Sequence, residues 1–278
     1  VPRRRTLFAA LVAAPLFPAA AGPAAAAPKA ALWPRWQRRD PASTARVDHG
    51  PWAAFLARHV RPQPDGLNLV AYREVGAAER AALAAYLEGL ARVPVSGLAP
   101  DEQMAFWINL YNALTVRVVL DHFPVRSIRD IDISPGLLAD GPWGARLVEV
   151  EGEPLCLDDI EHRILRPIWR DPRIHYAVNC ASIGCPNLCR EPFLAGRLAA
   201  QLDAAAYAFV NHPRGVRLAE GRLAVSSIYH WFKEDFGGDD RGVIRHLLAY
   251  AAPPLAMPLQ KVDRIASHAY DWSLNLAP

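Results

Sequence analysis

Arg173-Ile174-His175-Tyr176-Ala177-Val178-Asn179-Cys180-Ala181-Ser182-Ile183-Gly184-Cys185-Pro186-Asn187-Leu188-Cys189 reads as a short buried strand that breaks into a Gly/Pro turn. Three of the chain's four cysteines and one histidine fall within it. On a regular strand Ile174–Asn179, His175 and Cys180 point to opposite faces, because side chains alternate. The flanking sequence is mostly helical in pattern and reads as support for this segment.

Upstream, Asp101–Asp121 carries the strongest helical pattern, with Pro100 before it and Asp101 as the expected N-cap. At 100° per residue, Asn109 and Asn112 share a face with Ala105, Val116 and Val119. A buried amide without a partner costs roughly 1–3 kcal/mol, so these two either brace neighbouring backbone or line a site. A second helix is expected over Asp159–Ile168, capped by Asp158. Glu161 falls inside its apolar face and His162 at the edge, and a carboxylate in an apolar stripe needs a donor or its pKa rises. Helices are also expected over Asp48–Val60, Ala77–Val93, Arg190–Asn211, Ser226–Phe236 and Arg241–Ala251, with a linker at Pro253–Pro258. Hairpins centre on Glu151-Gly152 and Glu220-Gly221, and a strand is expected at Lys261–Ile265. The fold class is therefore α+β: a mostly helical single domain with a small antiparallel sheet.

The 278 residues are 52% apolar, enough for one large core. The net charge of +3 comes with no basic stripe, which argues against nucleic-acid binding. Arg3-Arg4-Arg5-Thr6-Leu7-Phe8, an Ala-rich apolar run and Ala24–Ala27 have the layout of an export signal, of the twin-arginine kind or an ordinary Sec signal with three arginines. The expected organisation is an export signal at 1–27, a linker at 28–47 and one domain at 48–278. Export implies a periplasmic or secreted protein with no stable membrane span once the signal is cleaved. It also makes a Cys180–Cys185 disulfide a rival to a free reactive thiol.

The motifs resemble the DUF547 family, a domain of unassigned function. The resemblance rests on Ala105-Phe106-Trp107-Ile108-Asn109-Leu110-Tyr111-Asn112-Ala113, on Leu157-Asp158-Asp159-Ile160-Glu161-His162, and on His175-Tyr176-Ala177-Val178-Asn179-Cys180-Ala181-Ser182 with Gly184-Cys185-Pro186. Trp231, Asp235-Phe236 and Tyr270-Asp271-Trp272-Ser273-Leu274-Asn275 complete it. It spans about Asp48 to Asn275; Cys156 and Cys189 stand outside it. A relation to papain-like or transglutaminase-like folds is a further expectation. In transglutaminase-like folds the nucleophilic cysteine opens a central helix, whereas the helix of Phe106–Leu120 holds Asn109 and Asn112 and no cysteine.

Thiol acyl transfer needs a thiolate, an activating base and an orienting group. The candidates are Cys180 or Cys185, His162 or His175, and Glu161, Asp271 or an Asn as the orienting group, with Asn109, Asn112, Asp271 and Trp272 as binding residues. Strand alternation favours His162 over His175 as partner to Cys180. A peptide-like or other small amide ligand is the expected partner, and no cofactor is expected. A zinc set of His175, Cys180, Cys185 and Cys189 has suitable ligand types, and its geometry is left to the structure. The rival is a non-catalytic binding domain stapled by a Cys180–Cys185 disulfide.

Overall fold

The computed structural model describes residues 28–136 and 140–278; the expected export signal at 1–27 lies outside them. In chain order the elements are α1 (Gly50–His59), β1 (Val60–Pro62), β2 (Asn68–Val70), α2 (Ala77–Ala91), α3 (Pro100–His122), β3 (Val148–Val150) and β4 (Glu153–Leu155). A π-helix, Asp159–Leu165, continues into α4 (Arg166–Trp169), followed by α5 (Ile174–Ala177) and α6 (Leu198–Val210). The chain closes with β5 (Val216–Ala219), β6 (Arg222–Ser226), α7 (Ile228–Trp231), α8 (Asp240–Tyr250), α9 (Pro253–Leu259) and β7 (Ser267–Ala269). The expected mostly helical α+β body is present, with three small sheets among the described residues. β1–β2 and β3–β4 are antiparallel pairs, while β6 pairs antiparallel with β5 and parallel with β7.

The central element is α3, in which 18 of 23 residues are buried. Pro100 occupies the first turn and Ala99 the cap position expected for Asp101. Glu102, in the same turn, accepts the Val47 amide at 2.8 Å. A helix buried all round carries no polar face, so its amides must bond to other elements. Asn109 does so reciprocally with Phe193, donating to the carbonyl at 2.7 Å and accepting the amide at 3.0 Å. Asn112 donates to Ala177 at 2.9 Å and accepts from the Asn179 amide at 2.8 Å. Both side chains therefore brace backbone, and Asn112 pins the segment that leads to Cys180.

The helix expected at Asp159–Ile168 is present but wider. The Arg166 amide bonds the Glu161 carbonyl, five residues back, which is the π register. Pro167 has no amide to give. The His162 and Arg163 carbonyls bond instead to the amides of Ala31 (2.9 Å) and Trp33 (3.0 Å). Residues 28–47, read from sequence as a linker, thus lie against the domain. Trp36 is fully buried, edge-on to Trp107 at 5.0 Å between ring centroids.

Four local expectations are corrected. Ile174–Ala177 is one helical turn, not a strand: Val178 N–H bonds Ile174 at 3.2 Å, and Ile174–Asn179 is buried throughout. A short apolar run buried on all sides has no periodicity to separate helix from strand. The alternation that set His175 opposite Cys180 therefore does not operate. α6 begins at Leu198, not Arg190, because Gln201 bonds Leu194 N–H and Pro192 C=O and holds that stretch as a loop. Pro253–Leu259 is helix rather than linker: Pro253 and Pro254 sit in its first turn, and Pro258 lies inside it, one residue before its end. The late strand is Ser267–Ala269, not Lys261–Ile265.

Replacing Trp36 by Ala removes a large side chain at the join between the leading segment and α3. The expected loss is about 3–5 kcal/mol in urea denaturation; a loss below ~1 kcal/mol would show that this segment contributes little to the fold.

Candidate functional site

The sequence-expected residues gather into two neighbouring groups. The first surrounds Cys180. Asn179 holds its loop from both sides, accepting the Ala181 amide at 2.9 Å and donating to the Pro186 carbonyl at 2.7 Å. Ala181 takes a left-handed conformation (φ +61°) to make the turn. Gly184 then runs against the closing segment, its amide bonding Asp271 C=O at 2.8 Å. A Cβ there would meet the Asp271 backbone nitrogen at 2.7 Å, so only glycine fits.

Half-buried Cys180 has its Sγ 3.0 Å from the Tyr270 hydroxyl and 3.2 Å from the Ser182 hydroxyl. Cys185 is buried, and its sulfur accepts the Cys180 amide at 3.1 Å. The Cys185 thiol, with Ser182 and Tyr270, holds the Cys180 thiol below its ordinary range against the opposing effect of burial. Burial and the adjacent Cys180 push Cys185 the other way. All four cysteines are free thiols. Half-buried Trp231 and Trp272 pack on Tyr270, at 4.9 and 4.6 Å between ring centroids. Asp271 turns its carboxylate to the Ser273 amide at 2.9 Å.

The second group is carboxylate and imidazole. His175 Nε2 lies 2.7 Å from Asp235 Oδ2, and His175 Nδ1 lies 3.7 Å from Glu161 Oε1. Arg166 donates to Asp235 at 2.6 Å, to Pro28 C=O at 2.8 Å and to His162 Nδ1 at 3.0 Å. Arginine has no acceptor, so His162 is neutral and carries its proton on Nε2. Burial, Arg166 and His175 all lower the His162 pKa. An ionised Asp235 only accepts, so His175 carries a proton on Nε2. Burial would raise Asp235, but the bonds from His175 and Arg166 bring it to about 2. Burial raises Glu161 to about 7, opposed by Arg166 and a Tyr111 hydrogen bond and helped by Asp158 and Cys180.

One step of chain links the groups: Trp231 packs on Tyr270, and Phe232 stacks on His175 at 4.4 Å. Among the described residues neither Cys180 nor Cys185 is hydrogen-bonded to an imidazole. Among the same residues no three His, Cys, Asp or Glu side chains form a group that could hold a metal ion. Sequence reasoning missed Tyr270 and Ser182 as thiol partners and Asp235 as the histidine's partner. Ser182, two residues from Cys180, was within reach of inspection; Tyr270 and Asp235 arrive through tertiary folding. Arg166, four residues after His162 on a helix, carried a readable signal.

A buried carboxyl whose folded pKa is raised stabilises the fold below its unfolded value, and that contribution is lost as pH climbs through the folded value. For Glu161 the window runs from about 4.5 to about 7. Wild-type stability should therefore fall by roughly 3 kcal/mol more than that of Glu161→Gln across this window. Parallel urea titrations check it; identical pH profiles would place the Glu161 pKa at its ordinary value.

Neither a comparison with curated proteins nor one with solved structures finds a match. The family model described as "Protein of unknown function, DUF547" matches residues 95–210, from the turn before α3 to the end of α6. That interval contains Asn109, Asn112, Glu161, His162, His175, Cys180 and Cys185, whereas Asp235, Tyr270, Asp271 and Trp272 lie beyond it. The chain carries a DUF547 domain at residues 95–210.

Proposed function

We propose that the chain is an exported thiol hydrolase or acyltransferase acting on peptide-like or other amide substrates, with Cys180 as nucleophile. The observation that carries this reading is the half-buried Cys180 sulfur held between the Tyr270 and Ser182 hydroxyls. The Arg3–Arg5 cluster and the apolar run after it support export to the periplasm or beyond.

The Cys180 thiolate attacks the amide carbonyl carbon, and the C–N bond breaks to leave a thioester on Cys180. Water hydrolyses that thioester, or a second amine takes the acyl group. Glu161 supplies the proton that the leaving amine needs. Its raised pKa keeps a proton available near neutrality, and it lies near enough to feel the Cys180 charge. With a proton on His175 Nε2, the neutral ring presents a bare Nδ1 toward Glu161 at 3.7 Å. His175 is fixed by its 2.7 Å bond to Asp235 and faces Glu161 across 3.7 Å, close enough to favour the protonated carboxyl. His162, tied to Arg166, orients the same cluster.

A second reading, a non-catalytic binding domain for a peptide-like ligand, is favoured by one observation. The thiols and the imidazoles stand apart, with Trp231, Phe232, Tyr270 and Trp272 packed along the thiol group and between the two.

Iodoacetamide labelling with peptide mass mapping, followed across pH, separates the two. The enzyme reading expects Cys180 to label first, with a half-maximal rate below the ordinary thiol value of ~8.5. It also expects Cys180→Ala to abolish turnover of any amide, ester or thioester the wild type cleaves. A Cys180 no faster than Cys156 and Cys189 in a wild type without turnover would leave the binding domain, and turnover that survives in Cys180→Ala would remove Cys180 as the nucleophile.

A further inference from the structure

We infer that Cys180 and Cys185 form a peroxide-sensitive pair, in which Cys180 is oxidised first and Cys185 resolves it to a reversible disulfide. This rests on Cys180 being the reactive thiol, as proposed above, but not on any hydrolytic activity.

The argument is geometric. Nucleophile and resolver must be adjacent while both are reduced, and only the first needs access. Cys180 is half-buried and Cys185 buried, with the Cys185 sulfur 3.1 Å from the Cys180 amide. The loop that holds them together is braced at both ends by Asn179 and anchored by Gly184 against Asp271. The remaining cysteines are poor competitors. Cys156 is buried beside Asp159 at 3.1 Å, and its thiol is pushed up to about 12. Burial and Glu191 push Cys189 up to about 11.

In the first step the Cys180 thiolate attacks one oxygen of hydrogen peroxide. The S–O bond forms and the O–O bond breaks. The sulfur is oxidised by two electrons, and the departing hydroxide takes up a proton to become water. In the second step the Cys185 sulfur attacks the Cys180 sulfur: the S–S bond forms, the S–O bond breaks, and the leaving hydroxide departs as water with the Cys185 proton. The order is built into the pair. The charge on Cys180 helps hold the Cys185 proton in place, and that charge disappears when Cys180 becomes a sulfenic acid. Cys185 is thereby freed to react only after Cys180 has been oxidised. The disulfide would remove the nucleophile of the proposed reaction and a dithiol reductant would return it.

The test uses the reduced full chain and a few equivalents of hydrogen peroxide, read by intact mass and peptide mapping. Wild type should lose two hydrogens, yield a Cys180–Cys185 cross-link and regain its mass in dithiothreitol. Cys185→Ser should accumulate a dimedone adduct on Cys180, at least ~10-fold faster than on Cys156 or Cys189. A wild-type cross-link to Cys189, a dimedone label spread evenly over the cysteines, or a Cys180–Cys185 bond that dithiothreitol cannot open would each overturn the inference. The readout is mass rather than turnover. Peroxide-selective Cys180 in a protein without amide turnover would therefore sink the hydrolase reading alone, and turnover without selective oxidation would sink this inference alone.

Discussion

The buried guanidinium of Arg166 is the contact on which the arrangement depends. Its side chain is only 4% exposed, yet it reaches the leading segment at Pro28, the π-helix at His162 and the later chain at Asp235. It also lies over the Phe232 ring at 4.6 Å. A buried cation is tolerated only where its donors are satisfied, and stripping one partner from such a pair costs about 3–5 kcal/mol. Arg166 therefore fixes how segments more than sixty residues apart meet, and its charge adds to the burial that lowers both histidines.

Pro167 acts at the same place through what it lacks. Without its amide the helix cannot close its last carbonyls, and the register widens to the Arg166–Glu161 bond. The leading segment completes the turn by donating from Ala31 and Trp33. The outcome is a short helix that directs Glu161, His162 and Arg166 into one polar cluster, with Asp235 and His175 arriving from other elements. The thiol group is built differently, by a braced loop in which Asn112, Asn179 and Gly184 each hold backbone. Rigid bracing on one side and a charged network on the other are what the proposed acyl-transfer reading asks for, with nucleophile and proton donor held on separate supports.

Legibility in the sequence followed the range of the interaction. α2 and α3 lie where 3.6-residue periodicity puts them, and both hairpins sit at their Glu-Gly turns. The isolation of Glu161 in an apolar stripe was visible on the helical wheel, and its raised pKa follows from that burial. The segment from Ile174 to Asn179 was misread because it is buried on every side, which erases the pattern that separates a helical turn from a strand. The leading segment, a mixture of Pro, Arg and Ala that reads as a linker settling onto the domain, does settle there, through the fully enclosed Trp36.

The sequence by itself determined which thiols, carboxylates and imidazoles lie close along the chain and which local turns present them. It placed Cys180 and Cys185 in one loop, Glu161 and His162 on one helix, and two carboxamides on a helix with no polar face. Their partners were decided only by tertiary structure. Asp235 meets His175 across sixty residues and Tyr270 meets Cys180 across ninety. No periodicity or spacing encodes such pairs, because they arise from how whole elements pack around buried charge. The same packing decided that Asn109 and Asn112 brace backbone, and that the Cys180 thiol meets the Ser182 and Tyr270 hydroxyls rather than an imidazole.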